Sequence, residues 1–219
     1  QVTRKDPLQG LPLLAYYPSE RFVNDISLLN KNLPGITQSI SAYDISLIPF
    51  TTFTRFFEWL REISDIENAQ AAHVVQKIIS QQSNPQDQDE LLRQLQIELA
   101  GQPKQLPSPN LYALKSALKT VFPELSELYL QYHPKLQLMA HYQGEVLTFQ
   151  QLSNTTKTWI ALVGDIVRRL CLLNPLSLNP CLEGEGVLLI DQIDSQLDAL
   201  HCSEILHRLH QAFPRLQII

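Results

Sequence analysis

Residues 184–198 read GEGVLLIDQIDSQLD and combine a short apolar run with an acidic residue at its end. The run at 187–190 has no polar alternation, which is typical of a strand buried on both faces of a parallel sheet. Asp191 follows at the carboxyl end of this strand, where ligands gather in open α/β sheets. A carboxylate there is a natural ligand for Mg²⁺, which takes oxygen ligands and usually binds beside substrate phosphates. The sequence therefore predicts an α/β fold with a metal-binding carboxylate at one edge of its sheet.

The same residues resemble the Walker B and D-loop region of ABC-type ATPases. In that region four apolar residues lead to an Asp, a catalytic Glu and then Ser-x-Leu-Asp. Asp191 matches the metal-side Asp, and the match of SQLD to the D-loop implies that Ser195 and Asp198 lie at a dimer interface. Gln192 stands at the catalytic position, and its amide cannot take a proton from an attacking water. The resemblance therefore implies a site that binds ATP and Mg²⁺ but hydrolyses ATP slowly or not at all.

The composition is that of an ordinary globular protein. With 44% hydrophobic and 18% charged residues, the 219-residue chain can bury a sizeable core and falls in the range of one or two domains. Its net charge of -5 gives no electrostatic footprint for nucleic acid, which would need a local basic patch. The chain has no membrane-length apolar run and no signal-peptide pattern, and its three cysteines have no paired spacing. These features favour a cytoplasmic protein with reduced thiols.

The first apolar run, at residues 11–17, predicts a strand that Pro18 and Ser19 close. The segment LPLLAYYPSERF resembles one that follows the Walker A helix in predicted ATP-binding proteins of the AAA and ABC-like branch, related to the RecF and SMC ATPases. Two interpretations of Arg21 in this segment are open. It lies near a nucleotide, or it is an exposed partner in a surface salt bridge, which is the commoner case.

Residues 51–124 follow a helical pattern. Apolar residues recur at every third or fourth position in residues 53–79, 91–99 and 112–121, and a polar loop at 81–90 interrupts them. A run of helices without strands inside an α/β chain predicts an inserted helical subdomain.

The segment FFEWLREISDIEN in this region resembles the helical insertion of the same family. We therefore divide the chain into an N-terminal part of the ATPase core (1–50), the inserted subdomain (51–124) and a C-terminal part of the core (125–219). The aromatic residues of the first helix could form a platform for stacking bases. Their helical spacing and the lack of interleaved basic residues favour a packed core instead.

Three short runs between residues 125 and 149 predict antiparallel strands. They cover 125–131, 136–141 and 145–149, and the pair Gln143-Gly144 is a tight-turn signal between the last two. The patterns predict an α/β fold with a mainly parallel sheet, a small antiparallel β segment and an inserted helical subdomain, and the resemblance implies that this fold is an ABC-type ATPase domain.

A long helix follows, within TFQQLSNTTKTWIALVGDIVRRLCLLNP at residues 148–175. This stretch resembles the signature region of the family, in which a Leu-Ser pair and a glycine-containing turn open a helix whose N-terminus suits a phosphate. The resemblance implies that Ser153 and Asn154 contact the γ-phosphate held by the opposite subunit, although the usual glycine is missing. The alternative is a simple helix cap by Ser153 or Asn154. Arg168 and Arg169 are expected to be solvated or paired with Asp165.

A phosphate-binding loop of the form Gly-x-x-x-x-Gly-Lys-Ser/Thr is missing, because none of the seven glycines precedes a lysine. In the family this Walker A motif lies upstream of the segment that resembles LPLLAYYPSERF. Two interpretations follow. The chain is part of an ATPase that binds ATP and Mg²⁺ with an upstream Walker A motif, that partners a second copy or an effector protein, and that acts in genome maintenance or anti-phage defence. Alternatively, it is a degenerate, non-hydrolysing scaffold for protein contacts, so the sequence leaves the enzymatic activity open.

Overall fold

The computed structural model describes residues 10–23, 26, 28, 39–43, 51–81, 108–194 and 199–219. The strands are β1 (Leu13–Tyr17), β2 (Leu125–Gln131), β3 (Gln137–Tyr142), β4 (Glu145–Thr148), β5 (Gly186–Ile190) and β6 (Leu216–Ile218). The helices are α1 (Thr54–Gln81), α2 (Pro109–Val121), α3 (Asn154–Leu173), α4 (Pro180–Glu183) and α5 (Ala199–Ala212), with short 3₁₀ helices at Ser39–Tyr43 and Phe149–Gln151. The helix predicted over 91–99 and the D-loop residues Ser195 and Asp198 lie outside the described residues.

Strands β1, β5 and β6 form a parallel sheet in the order β1-β5-β6. The register pairs Tyr17 with Ile190, so β1 and β5 end at the same edge. Strands β1 and β5 coincide with the strands predicted at residues 11–17 and 187–190. The burial of β5 differs from the expectation, since Leu188 is buried while its neighbour Leu189 is only half-buried. Helices α2, α3 and α5 form one layer, in which α2 contacts both of the others, and α3 contacts β1 of the sheet.

Helix α3 is the centre of the core. Every residue from Thr158 to Leu173 is buried, so the helix is enclosed on all sides rather than along one stripe. Helix α1 packs against it through the predicted aromatic stripe, which is buried throughout: Phe53, Phe56, Phe57 and Trp59. The interpretation of these aromatic residues as core is therefore confirmed.

Strands β2, β3 and β4 form a separate antiparallel sheet, within one or two residues of the predicted limits. Gln143 and Gly144 join β3 to β4 with φ angles of 52° and 84°, the left-handed geometry of a tight hairpin turn. The mixed α/β class, with a parallel sheet, a small antiparallel sheet and helices, is therefore confirmed. The three-part division of the chain stays a prediction.

Gly164 lies where α3 passes α1. A Cβ atom added at Gly164 would lie 2.2 Å from Cε2 of the fully buried Phe56 ring. We expect Gly164→Ala to lower the free energy of unfolding by about 1–3 kcal/mol, because overpacking a core outweighs the better helix propensity of alanine. Chemical denaturation measures the difference. In a Phe56→Leu background, which lacks the clashing ring atoms, the same change should cost little, and an equal penalty in both backgrounds would contradict this cause.

Candidate functional site

Asp191 lies at the carboxyl edge of the parallel sheet, as predicted. Its backbone N–H donates to the carbonyl of Tyr17 over 2.9 Å, which joins the first residue after β5 to the end of β1. The Asp191 side chain is exposed to solvent. Among the described residues, no group of three or more His, Cys, Asp or Glu side chains could hold a metal by itself. A lone exposed carboxylate still fits Mg²⁺, which commonly binds one or two protein carboxylates together with waters and substrate phosphates.

Gln192 has an unusual backbone conformation. Its φ angle is 46°, in the left-handed region that costs a residue other than glycine about 1–2 kcal/mol. Gln192 is exposed, and it belongs to the turn at 191–194 that follows β5. The chain therefore leaves the strand sharply at this residue, and the side chains of Asp191 and Gln192 both face solvent beyond the sheet edge.

Arg21 holds this turn from inside the protein. Its Nη1 atom donates to the carbonyls of Pro18 (2.7 Å), Asp191 (2.6 Å) and, more weakly, Tyr17 (3.4 Å), and its Nη2 atom donates to the carbonyl of Gln192 (3.2 Å). Only 6% of Arg21 is exposed. The interpretation as an exposed salt-bridge residue is therefore wrong, because the guanidinium lies among backbone carbonyls that sequence reasoning could not bring together.

A buried ionic cluster lies beneath the same edge. Asp165 accepts from Nε of Arg168 (2.9 Å), from Nε of Arg169 (2.7 Å) and from the hydroxyl of Tyr17 (3.0 Å). Arg168 and Arg169 also donate to the carbonyls of Ser41 and Ala42, which tethers the 3₁₀ helix at 39–43 to α3. Arg168 and Arg169 are thus paired with Asp165, one of the two expected outcomes, and they are buried rather than solvated.

The pKa values within this cluster follow from its charges. Burial alone would raise the pKa of Asp165, but Arg169 and Arg168 more than offset this and hold that pKa well below its usual range. Burial, and next the negative charge of Asp165, raise the pKa of Tyr17. Tyr17 therefore stays protonated and donates to Asp165, while its carbonyl accepts from Asp191 and Arg21. Tyr17 connects the buried cluster to the turn after β5.

Ser153 is the N-cap of α3. Its Oγ atom accepts from the backbone N–H of Thr156 over 3.1 Å, and Ser153 and Asn154 are both exposed. The helix-cap interpretation is therefore confirmed for Ser153. Asp165, which contacts the end of β1, lies twelve residues further along α3, about 18 Å at 1.5 Å per residue. The structure therefore does not bring Ser153 close to the sheet edge at which Asp191 lies.

The two cysteines whose side chains the structure describes do not contribute a nucleophile to this edge. Cys171 and Cys181 are buried free thiols, and burial raises the pKa of Cys181 to about 12. A thiol with that pKa is protonated at neutral pH and is a weak nucleophile.

Comparison with known proteins identifies relatives over nearly the whole chain. The chain is 32% identical to the retron Ec83 probable ATPase of Escherichia coli over 244 aligned positions, which cover 98% of this chain and 44% of that protein. It is similar to retron probable ATPases. The retron Vc95 probable ATPase of Vibrio cholerae serotype O1 biovar El Tor is 28% identical over 223 positions, covering 95% of this chain and 43% of that protein. No family model matches the chain.

The chain thus spans less than half the length of the curated relatives it matches. Their names support the expected relationship to an ATPase, while the narrower link to RecF and SMC ATPases stays a prediction. In the part of the chain that the structure describes, no helix is long and apolar enough to cross a bilayer.

Proposed function

We propose that this chain carries the Walker B half of an ATP-binding site in a retron-type ATPase. The observation that supports this most directly is the exposed carboxylate of Asp191 at the carboxyl end of β5, in a chain similar over nearly its whole length to probable ATPases. Residues 1–219 contain no Gly-x-x-x-x-Gly-Lys-Ser/Thr loop, so we assign the loop that cradles the phosphates to another part of the protein.

In this site Asp191 would hold Mg²⁺ through its carboxylate. Bound Mg²⁺ would neutralise charge on the β- and γ-phosphates of ATP. Gln192 faces the same space and orients an attacking water through its amide, but it cannot accept a proton from that water. The resulting protein binds ATP and releases phosphate slowly, and bound nucleotide acts as a switch rather than as a reagent for a further substrate.

The distance along α3 between Ser153 and the sheet edge supports a contact between Ser153 of one subunit and the phosphate bound by another. Ser153 is about 18 Å along α3 from Asp165, which lies beneath the edge that carries Asp191. A γ-phosphate held at Asp191 is therefore out of reach of Ser153 in the same chain. Ser153 and Asn154 of a second copy would contact this γ-phosphate, and Ser195 and Asp198 would lie near the interface between the copies. The partner is therefore a second copy of the chain, and the association of the two copies responds to ATP.

The test is ATP binding by the full-length protein with and without Mg²⁺, measured by calorimetry. Asp191→Asn should lower the Mg²⁺-dependent gain in ATP affinity by about tenfold or more, since loss of a metal carboxylate costs at least as much as loss of its supporting contacts. Affinity for ATP without Mg²⁺ should change little.

Asp194→Asn is the matched control, because Asp194 is an exposed carboxylate in the same turn. It should leave the Mg²⁺-dependent gain intact. If Asp191→Asn and Asp194→Asn behave alike, the metal assignment fails. If the full-length protein binds no Mg-ATP, the function proposed here fails and a scaffold that makes protein contacts remains.

A further inference from the structure

The backbone at Arg21 is held by hydrogen bonds near the ends of β1 and β5, which form the carboxyl edge of the parallel sheet. Arg21 lies in an isolated bridge with Thr51, where Thr51 N–H donates to the carbonyl of Glu20 and Phe22 N–H donates to the carbonyl of Thr51, both over 3.1 Å. From this position the side chain reaches Asp191 and Gln192, 170 and 171 positions further along the chain. A buried, charged side chain on a fixed backbone can hold its partners in one geometry.

Four of the partners of Arg21 are backbone carbonyls on both sides of the edge. The carbonyls of Tyr17 and Pro18 lie at and just after the end of β1, and those of Asp191 and Gln192 begin the turn after β5. Hydrogen bonds from a charged donor are stronger than neutral ones, and the planar guanidinium can serve several acceptors at fixed angles. The two bonds to the turn include the carbonyl of Gln192 itself, whose φ angle is left-handed. Arg21 therefore stabilises a backbone conformation that Gln192 would not adopt readily alone.

We propose that Arg21 is a positioning residue that sets the direction in which Asp191 and Gln192 face bound Mg-ATP, a role that rests on the function proposed above. The orientation of the peptide units at Asp191 and Gln192 determines where their side chains point, and Arg21 fixes both units. Its guanidinium bonds to carbonyls of the turn, so Arg21 exerts this role through the backbone at Asp191 and Gln192.

The charge of Arg21 is consistent with this role. Burial lowers the pKa of Arg21, and the negative charge of the nearby Asp191 opposes part of this decrease. Arg21 remains protonated at neutral pH because the ordinary pKa of arginine is far above neutral pH. Lysine has the charge but lacks the planar fork, so it can satisfy only part of the set of four carbonyls.

The experiment compares Arg21→Lys and Arg21→Met with the unaltered full-length protein. Hydrogen exchange without nucleotide follows the amides of residues 190–194, where the Asp191 N–H bonds to Tyr17. Calorimetry then gives ATP affinity with and without Mg²⁺. Arg21→Lys should exchange these amides several-fold faster and lose about tenfold of the Mg²⁺-dependent gain in affinity, with Mg²⁺-free affinity unchanged. Arg21→Met should lose more in both measurements.

Arg215→Lys is the matched control. Arg215 is exposed and pairs with Glu185 over 3.3 Å, just before β5 and away from the carboxyl edge. It should alter neither measurement. Arg21→Lys retains the charge and the buried stem, so it keeps the comparison valid if Arg21→Met does not fold.

Each outcome decides a separate point. Unchanged Mg²⁺ dependence in Arg21→Lys, when the unaltered protein binds Mg-ATP, overturns the positioning role and leaves the proposed function standing. Equal loss of ATP affinity with and without Mg²⁺ also overturns it, because that pattern indicates general damage to the fold. Absence of Mg-ATP binding in the unaltered protein overturns both.

Discussion

Asp165→Asn is expected to lower the free energy of unfolding by about 3–5 kcal/mol. Asp165 is buried, and its two oxygens are shared by the guanidinium groups of Arg168 and Arg169 and the hydroxyl of Tyr17. Removing the negative charge leaves two buried positive charges without their carboxylate, and such a loss costs far more than the net value of an intact pair. Urea denaturation at pH 7 measures the difference.

The same variant should change how stability depends on pH. The pKa of Asp165 in the folded protein lies well below its usual value of about 3.9 in an unfolded chain. Its contribution to stability is therefore fully present above about pH 5 and declines as the pH falls below about 4. The gap in unfolding free energy between the unaltered protein and Asp165→Asn should narrow in this acidic range, in a series of urea curves between pH 3 and pH 7.

Glu204→Gln is the control for this prediction. Glu204 pairs with Arg208 at the same i,i+4 spacing as Asp165 with Arg169, but the Glu204 side chain is 47% exposed. Its loss should cost less than about 1 kcal/mol, as is usual for exposed pairs. Similar costs for Asp165→Asn and Glu204→Gln would contradict the burial argument. Replacing Asp165, Arg168 and Arg169 together by apolar residues should recover part of the lost stability, because no unpaired charge remains.

Gln192→Glu is expected to raise ATP hydrolysis by the full-length protein by about 10²–10⁴-fold, the usual contribution of a general base. Glutamate has nearly the shape of glutamine, and it adds a carboxylate that can accept a proton from an attacking water. The backbone at position 192 is unchanged by the substitution, and Arg21 still bonds to its carbonyl. Phosphate release with saturating Mg-ATP measures the gain.

Two further variants make this result specific. Gln192→Ala should show no gain over the unaltered protein, because alanine supplies neither a base nor the amide that orients water. Adding Asp191→Asn to Gln192→Glu should abolish the gain, which separates turnover at this site from a contaminating ATPase. If Gln192→Glu binds Mg-ATP and shows no increase, position 192 is not the catalytic position, and the correspondence to the Walker B motif must be revised.

Local patterns were enough to predict most of the elements. The strand at 187–190, the hairpin around Gln143 and Gly144, and the long helix that ends before Asn174 all follow from periodicity and turn residues, which act between near neighbours. Asp191 could be predicted as a site residue for the same reason, since an acid after a buried strand lies at a sheet edge in any parallel α/β fold. The cap at Ser153 is equally local.

Residues 187–191 are enough to predict where β5 ends and that a carboxylate follows it. The groups that support this carboxylate are set by contacts between distant parts of the chain, which no local pattern predicts. The sequence pattern of Arg21 is that of a surface residue because the backbone carbonyls that it bonds have no sequence signal, and two of them lie 170 and 171 positions away. The triad of Asp165, Arg168 and Arg169 has helical spacing that indicates pairing. The burial of these side chains depends on α1, α2 and the 3₁₀ helix at 39–43, which pack around α3. The loss in free energy of unfolding when one charge is removed is large for the same reason, because charges cost much to separate only when they are removed from water.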